Sequence, residues 1–349
     1  MSSAPSDPSS SRTFVLASRS SQLAQIQTNI VRDALAAAHP SVPLATSFMT
    51  TGGDHNQSQA LYLLGGKALW TKELEVALRE RAVDMLVHSY KDVPTALPDG
   101  CTIAAVLPRE DPVDSLVVRA GLPYTTLEEM PEGSVIGTSS VRRVAQLKRR
   151  FPNLVFKDVR GNLNTRMTKL DAPDGPYTAL ILAKAGMVRL GWGARITADL
   201  GPPTLLHAVS QGALAIEIRA GDAEAAALLA AVSHWPSEWA CAAERACLRV
   251  LEGGCSVPVG VHTAFAVRSD GAPGGRMDIT GCVTALDGAR HVEHRMEEEV
   301  RSLEEAEALG ARLARVLIET GAREILDEIT KDRERKIELA QEEEAAAAA

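Results

Sequence analysis

TFVLASRSSQLAQIQTNIV, residues 13–31, reads as two elements joined without a linker. Residues 13–18 form a short apolar run suited to a buried strand, and Ser20 or Ser21 can cap a helix that continues through Leu23, Ile26, Ile30 and Val31. A strand that feeds straight into a helix leaves free backbone N–H groups at the turn, a geometry that favours anions. The same order continues downstream. Residues 44–50 form a second strand candidate, LWTKELEVALRERAVD a helix, and MLVHSY a buried strand that stops at Lys91, Asp92, Val93 and Pro94. Strand and helix in alternation predict an α/β fold on parallel sheets. A second such set starts near residue 114, with strands at DSLVVR, SVIGTS, LVFKDV and TALILA and helices from near Ser139 and Asn164. Leu214–Arg219 reads as a further strand. A third region has a helix over Trp239–Leu251, alternating strands PVGVHTAFAV and MDITGCVTAL, a long helix from Leu303 and a shorter one near Ile325.

Composition narrows the function. The chain has 349 residues, 45% hydrophobic and 23% charged, which predicts a globular protein of two or three domains. No apolar run approaches the ~18 residues of a membrane span, and MSSAPSDPSSSR lacks the pattern of a secretory signal. Residues 1–12 read as a disordered arm, residues 331–349 as a polar tail, and the cytoplasm as the compartment. Five scattered cysteines without C-x-x-C spacing argue against disulfides and zinc, so no metal site is expected. The net charge is −8, yet residues 142–169 carry nine cations against Asp158 alone, a local +8. A cationic island in an acidic protein points to a discrete polyanionic ligand. With 4% aromatic residues and an acidic total, nucleic acid is a poor fit.

Four constellations carry chemistry. In VHSYKDVP, His88, Ser89, Lys91 and Asp92 sit where a buried strand ends, the usual ligand position of an open α/β sheet. Asp92 can stabilise a developing cation or relay a proton, and Lys91 can hold an anionic group. IGTSSVRR places hydroxyls and free N–H groups at a helix start ahead of paired arginines, and VRGNLNTRMTKLD repeats the device with Arg160, Gly161 and Arg166. In LEGGCSVPVG, Cys255 follows two glycines in a permissive loop and suits covalent attachment, whereas Cys101, Cys241, Cys247 and Cys282 read as packed hydrophobes.

ASRSSQLAQ, GGKALWTKELE, VHSYKDVP, GTSSVRR, VRGNLNTR, SQGALAIE and ERACLRVLEGGCSVPVG occur in that order over roughly residues 13 to 330. As an ordered set they resemble the porphobilinogen deaminases. The resemblance implies three domains: 13–110 plus 212–232 and 111–211, similar to the two lobes of a type II periplasmic binding protein, and 235–330, a small α/β domain. It implies a monomer that joins four porphobilinogen units head to tail, with loss of ammonia, on a dipyrromethane held by Cys255. By the same resemblance Lys91, Ser140, Arg142 and Arg143 hold that cofactor, Arg19, Ser21, Arg160, Arg166 and Arg189 serve the substrate, and Asp92 is the catalytic carboxylate. Trp70, Ser210 and Lys184 depart from the usual pattern. The competing function is a two-lobed receptor for a small polycarboxylate, which needs neither Cys255 nor Asp92.

Overall fold

The computed structural model describes residues 12–52, 71–251 and 257–348. Three sheets organise them. The first contains β1 (Phe14–Arg19), β2 (Leu44–Met49), β3 (Met85–Ser89), β4 (Cys101–Val106) and β10 (Leu214–Arg219), in the order β2-β1-β3-β10-β4. The second contains β5 (Asp114–Val118), β6 (Val135–Gly137), β7 (Val155–Lys157), β8 (Ala179–Ala183) and β9 (Ala198–Leu200), in the order β7-β6-β8-β5-β9.

These sheets are not purely parallel, as the alternation predicts, but mixed. β10 runs antiparallel to β3 and β4, and β5 runs antiparallel to β8 and β9. Both odd strands follow a crossing between sheets: the chain leaves the first sheet after β4 to enter the second as β5, and returns as β10. Each sheet therefore has the same plan, four parallel strands and one exchanged antiparallel strand inside the edge. β4 escapes a reading based on strand–helix alternation because no α-helix separates it from β3, and β9 because it is only three residues long.

Helices cover both faces of the first sheet, which is why β10 is buried at all six positions and β3 reads as a continuous apolar run. α1 (Gln22–Ala38) starts at Ser21, whose hydroxyl accepts from the Ala24 N–H. Its buried stripe is Ala24, Gln27, Thr28, Val31 and Leu35, whereas Ile30 is exposed and Leu23 faces the cleft. The apolar rhythm of Leu23, Ile26 and Ile30 is thus rotated from the core-facing stripe. Thr28 stays satisfied in the core because its hydroxyl bonds Ser18 Oγ at 2.7 Å and the Ala24 carbonyl at 2.9 Å. α2 (Lys72–Arg79) packs Leu74 and Leu78 on the other face, against Ala17 and Leu86.

The second sheet is flanked by α3 (Val141–Arg150), α4 (Leu163–Asp171) and α5 (Lys184–Arg189). α6 (Ala223–Ala230) follows β10 and returns Ala225 and Leu229 to the first core.

The third unit begins with α7 (Trp235–Leu251), one turn earlier than its apolar pattern predicts. A meander of β11 (Val259–Val267), β12 (Gly275–Thr284) and β13 (His291–Val300) packs on α7 and α8 (Leu303–Leu317), around Cys247, Leu251, Val261, Ile279, Leu313 and Leu317. β13 is an edge strand rich in Glu, His and Arg, with no apolar alternation to betray it. At Gly310 a Cβ would lie 1.9 Å from the Ala243 carbonyl oxygen, so the α7–α8 crossing requires glycine there. After a turn at Gly321, α9 (Arg323–Ala348) is longer than the short helix expected near Ile325 and runs through the polar tail.

Candidate active site

The turn that carries Lys91 and Asp92 is pinned from below. Past β3 the chain makes one tight turn, Tyr90–Asp92, in which Tyr90 and Val93 sink into the core with Val106, Ala213 and Cys241. Arg245 of α7 lies over the Tyr90 ring at 4.4 Å and donates to the Val93 carbonyl at 3.1 Å. With both anchors buried, Lys91 and Asp92 are left facing upward, at the C-terminal end of the sheet. Asp92 lines a cleft of about 490 Å³ together with Arg19, Ser21, Gln27, Thr71 and His88. It takes no hydrogen bond or ion pair from another described residue, which suits a carboxylate reserved for a ligand.

Arg142 and Arg143 stand in the first turn of α3. Their forks converge on Asp114 at the start of β5: Arg142 Nη1 donates to Oδ2 at 2.8 Å, and Arg143 Nη2 and Nε donate to Oδ1 at 2.7 and 3.1 Å. Asp114 is fully buried and the two arginines are 4% and 5% exposed, so the group keeps only a small open surface. Despite desolvation, the two guanidiniums hold the Asp114 carboxyl well below the usual carboxylate range. Burial, together with repulsion from Arg143, depresses Arg142 below the normal guanidinium value. One carboxylate for two cations leaves excess positive charge. The Arg142 Nε atom, buried and without a partner among the described residues, marks that excess.

Gln211 extends the network to the first lobe. Its amide donates to Asp114 Oδ1 at 2.8 Å and to the Pro112 carbonyl at 2.7 Å, and its Oε1 accepts from Lys91 Nζ at 3.3 Å. Lys91 keeps part of its surface open but is deeply surrounded by protein. Desolvation is the largest influence and lowers its pKa to about 8, against the attraction of Asp92. Arg166 is similar: burial, followed by repulsion from Arg143 and Arg160, lowers its pKa to about 10. In both cations burial is the main cause.

The turns that present these side chains follow from sequence. Gly161 takes φ of 107°, where a Cβ would meet Thr165 at 2.8 Å, and it frees its carbonyl to accept from Arg166 Nε at 2.9 Å. Asn162 caps α4 by accepting from the Thr165 N–H at 2.9 Å. Ser140 begins α3 but makes no capping bond, so its hydroxyl is available to a ligand.

Arg19, Ser21 and Asp92 thus line one cleft; Lys91 and Arg166 lie within electrostatic reach of Asp92, Arg143 and Arg160 within reach of Arg166, and Ser140 and Arg142 stand beside Arg143 at the start of α3. Arg189 is less directly placed, since its Nη2 donates to the Gly212 carbonyl at 2.7 Å in the returning crossover. Arg142 and Arg143 also have a protein partner that the motif does not predict. Cys255, Trp70 and most of the TTGGDHNQSQ segment lie outside the described residues. β11, which follows Cys255 in sequence, is nevertheless pressed onto the second lobe: a Cβ at Gly260 would meet Gln146 at 2.6 Å and Leu206 at 2.8 Å, and the Leu206 carbonyl accepts from Arg142.

Sequence reasoning missed Asp114 and Gln211. Asp114 opens a buried strand directly after the crossover, where a carboxylate needs buried cations, and that is the signal available for it. Lys184 bridges Asp111 at 2.8 Å and Asp199 at 2.5 Å, so the unexpected charge is locally paired. Ser210, at φ of 60°, gives its N–H to Glu244 Oε2 at 2.7 Å; Glu244 also takes two bonds from Arg109, at 2.7 and 3.0 Å. Both crossover segments are therefore tied to α7 through one buried carboxylate.

Two family models cover most of this chain: the dipyromethane cofactor binding domain of porphobilinogen deaminase matches residues 14–227, and the porphobilinogen deaminase C-terminal domain matches residues 239–319. The chain belongs to the porphobilinogen deaminase family. It is 48% identical to the porphobilinogen deaminase of Yarrowia lipolytica over 316 residues, 89% of this chain and 91% of that protein. With the Gloeobacter violaceus protein of the same name it shares 48% identity over 91% of this chain and 94% of that one. The Synechococcus elongatus porphobilinogen deaminase is 49% identical, over 92% and 97%. Membership gives the cation-rich cleft its ligand class, since a dipyrromethane carries carboxylate side chains.

Proposed function

We propose that this chain polymerises four porphobilinogen molecules head to tail into hydroxymethylbilane, releasing ammonia, in tetrapyrrole synthesis. The observation that carries this reading is Asp92, without a hydrogen bond or ion pair among the described residues, in a cleft lined by Arg19 and within electrostatic reach of the desolvated cations Lys91 and Arg166, in a chain matched by the family's models over both its cofactor-binding and C-terminal parts. A receptor for polycarboxylates would use the cations alone and has no need of a free carboxylate among them.

The residues fit the dipyrromethane. Arg142 keeps an orphaned Nε, Ser140 an uncommitted hydroxyl and Lys91 a desolvated ammonium, all suited to carboxylates. In this reading Lys91, Ser140, Arg142 and Arg143 hold the cofactor, Cys255 anchors it by a thioether, and the bound group supplies the nucleophilic pyrrole carbon to which units are added. Arg19, Ser21, Arg160, Arg166 and Arg189 receive the acetate and propionate of substrate. Asp92 faces the positive charge that develops on the substrate pyrrole when its amine departs. In a low-dielectric cleft that attraction exceeds its value in water. The lobes are 13–110 plus 212–232 and 111–211, with the cofactor unit at 235–330. No helix among the described residues is long and apolar enough to cross a membrane. Work as a cytoplasmic monomer completes the proposal.

Mass spectrometry of the denatured protein tests it. Purified chain, incubated with porphobilinogen, should carry a covalent increment of two deaminated porphobilinogen units, and Cys255→Ala should not. Bare polypeptide after that incubation refutes the proposal.

A further inference from the structure

Beneath Asp92 the cleft exposes a second polar group that the polymerisation reading does not use. His88, at the end of β3, lines the same cavity as Asp92, Ser89 and Thr71 and is 7% exposed. Its Nε2 lies 2.9 Å from Glu217 Oε2, on the exchanged strand β10, 129 residues away in sequence. Glu217 is fully buried. The Cys101 thiol lies close to it, and burial pushes that thiol up to about 12, so it stays protonated beside the carboxylate. Glu75 of α2 is raised by burial, with repulsion from Glu217 adding to it. A buried carboxylate can only accept hydrogen bonds. In the neutral imidazole a carboxylate partner at Nε2 takes the hydrogen bond of the proton there and leaves Nδ1 as an acceptor, with no partner among the described residues.

A neutral acceptor at the floor of a cleft is out of place for a carboxylate ligand, which Arg19 in the same lining would suit. It suits a cation. Of the groups on porphobilinogen only the aminomethyl, an ammonium near neutral pH, is cationic and rich in donors. We infer that His88, held in its tautomer by Glu217, forms the pocket for the substrate's ammonium group beside Asp92.

The inference deepens the polymerisation reading and rests on it. His88 touches the leaving nitrogen, and Glu217 is a positioning residue that acts through His88. When the C–N bond breaks, its electron pair leaves with nitrogen as ammonia, and the pyrrole nitrogen's lone pair fills the bond to the exocyclic carbon. All three ammonium hydrogens depart with the nitrogen, so His88 need only accept a hydrogen bond until release.

The test compares porphobilinogen with its hydroxymethyl analogue, in which a neutral hydroxyl replaces the ammonium. His88→Gln retains a donor against Glu217 but replaces the fixed ring Nδ1 by an amide oxygen at another position, while Glu217→Gln removes the charge that fixes the tautomer. Intact mass first establishes that each variant carries its covalent cofactor, a measurement that reports separately on the underlying reading. In cofactor-loaded protein, the ratio of kcat/KM for porphobilinogen over the analogue should fall about tenfold in His88→Gln, the scale of one hydrogen bond to a charged group. It should fall in the same direction in Glu217→Gln. A ratio equal to wild type, with both substrates slowed alike, means that the pair only supports the sheet, and overturns the inference.

Discussion

Asp114 Oδ1 accepts from Arg143 Nη2 at 2.7 Å inside a group that also takes in Arg142 and Gln211, all essentially closed to solvent. The cations expected to grip the ligand are thus already organised by a protein carboxylate, which sets their forks in advance and leaves the surplus charge for what binds above. Preorganisation of this kind lowers the ordering cost of binding.

Replacing Asp114 by Asn leaves two buried guanidiniums without their counter-ion. The expected loss is about 3–5 kcal/mol of stability, the scale for breaking a buried pair on one side, visible as a lower urea midpoint. The pair also confers acid sensitivity. Because the folded pKa of Asp114 is depressed, its contribution is complete above the unfolded value near ~3.9 and is lost as pH falls below it. The wild-type midpoint should drop across that range more steeply than that of Asp114→Asn.

Asp92→Asn removes the charge but keeps the shape. Turnover should fall by about 10²- to 10⁴-fold, while the urea midpoint stays within the wild-type range, since Asp92 supports no described neighbour. Wild-type turnover in a folded, cofactor-loaded Asn variant contradicts the role assigned to it.

Lys91 offers a pH signature. Its pKa of about 8 in the free cleft means that the ammonium needed for an anionic ligand is lost above pH 8. Cofactor uptake by newly made chain, followed by intact mass, should slow between pH 8 and 9, and Lys91→Arg should remove that decline. The linked stability has the opposite sign. With the folded pKa below the unfolded value of ~10.4, folding disfavours the bound proton, so the cofactor-free chain gains stability as pH rises from 8 to 10.

Ser210 holds φ of 60° in a fully buried crossover, a left-handed conformation that costs a residue with a Cβ about 1 kcal/mol. Ser210→Gly should raise the melting temperature by about 2 °C, a size expected for that energy in a chain of this length. Calorimetry checks the sign: a lower melting temperature shows that the Ser210 side chain contributes more than its backbone strain removes.

Local features were the ones legible in the sequence. Ser21 and Asn162 are visible as helix caps because a cap is a contact over three residues, and the VHSYKDVP turn is visible because a buried strand must stop where charge begins. The turns around Ser140 and Gly161 are readable for the same reason. β13 was not readable, since an edge strand with one wet face need not show apolar alternation. Nor was the true buried face of α1, where Thr28 and Gln27 pack inward because Ser18 and Ser89 satisfy them.

Ordered motifs, the excess of cations between residues 142 and 169 and the alternation of strand with helix belong to the sequence alone, and they suffice to define an α/β protein built for a polyanion. What it could not define is which distant segments meet. The exchange of β5 and β10 between sheets, the choice of Asp114 as counter-ion for Arg142 and Arg143, and the Glu217 partner of His88 join residues 28 to 129 positions apart. Local pattern encodes burial and backbone preference over a few residues. Partnership across the chain is settled only when competing contacts are closed off from water, and the unfavourable energy of an unpaired buried charge then selects one arrangement.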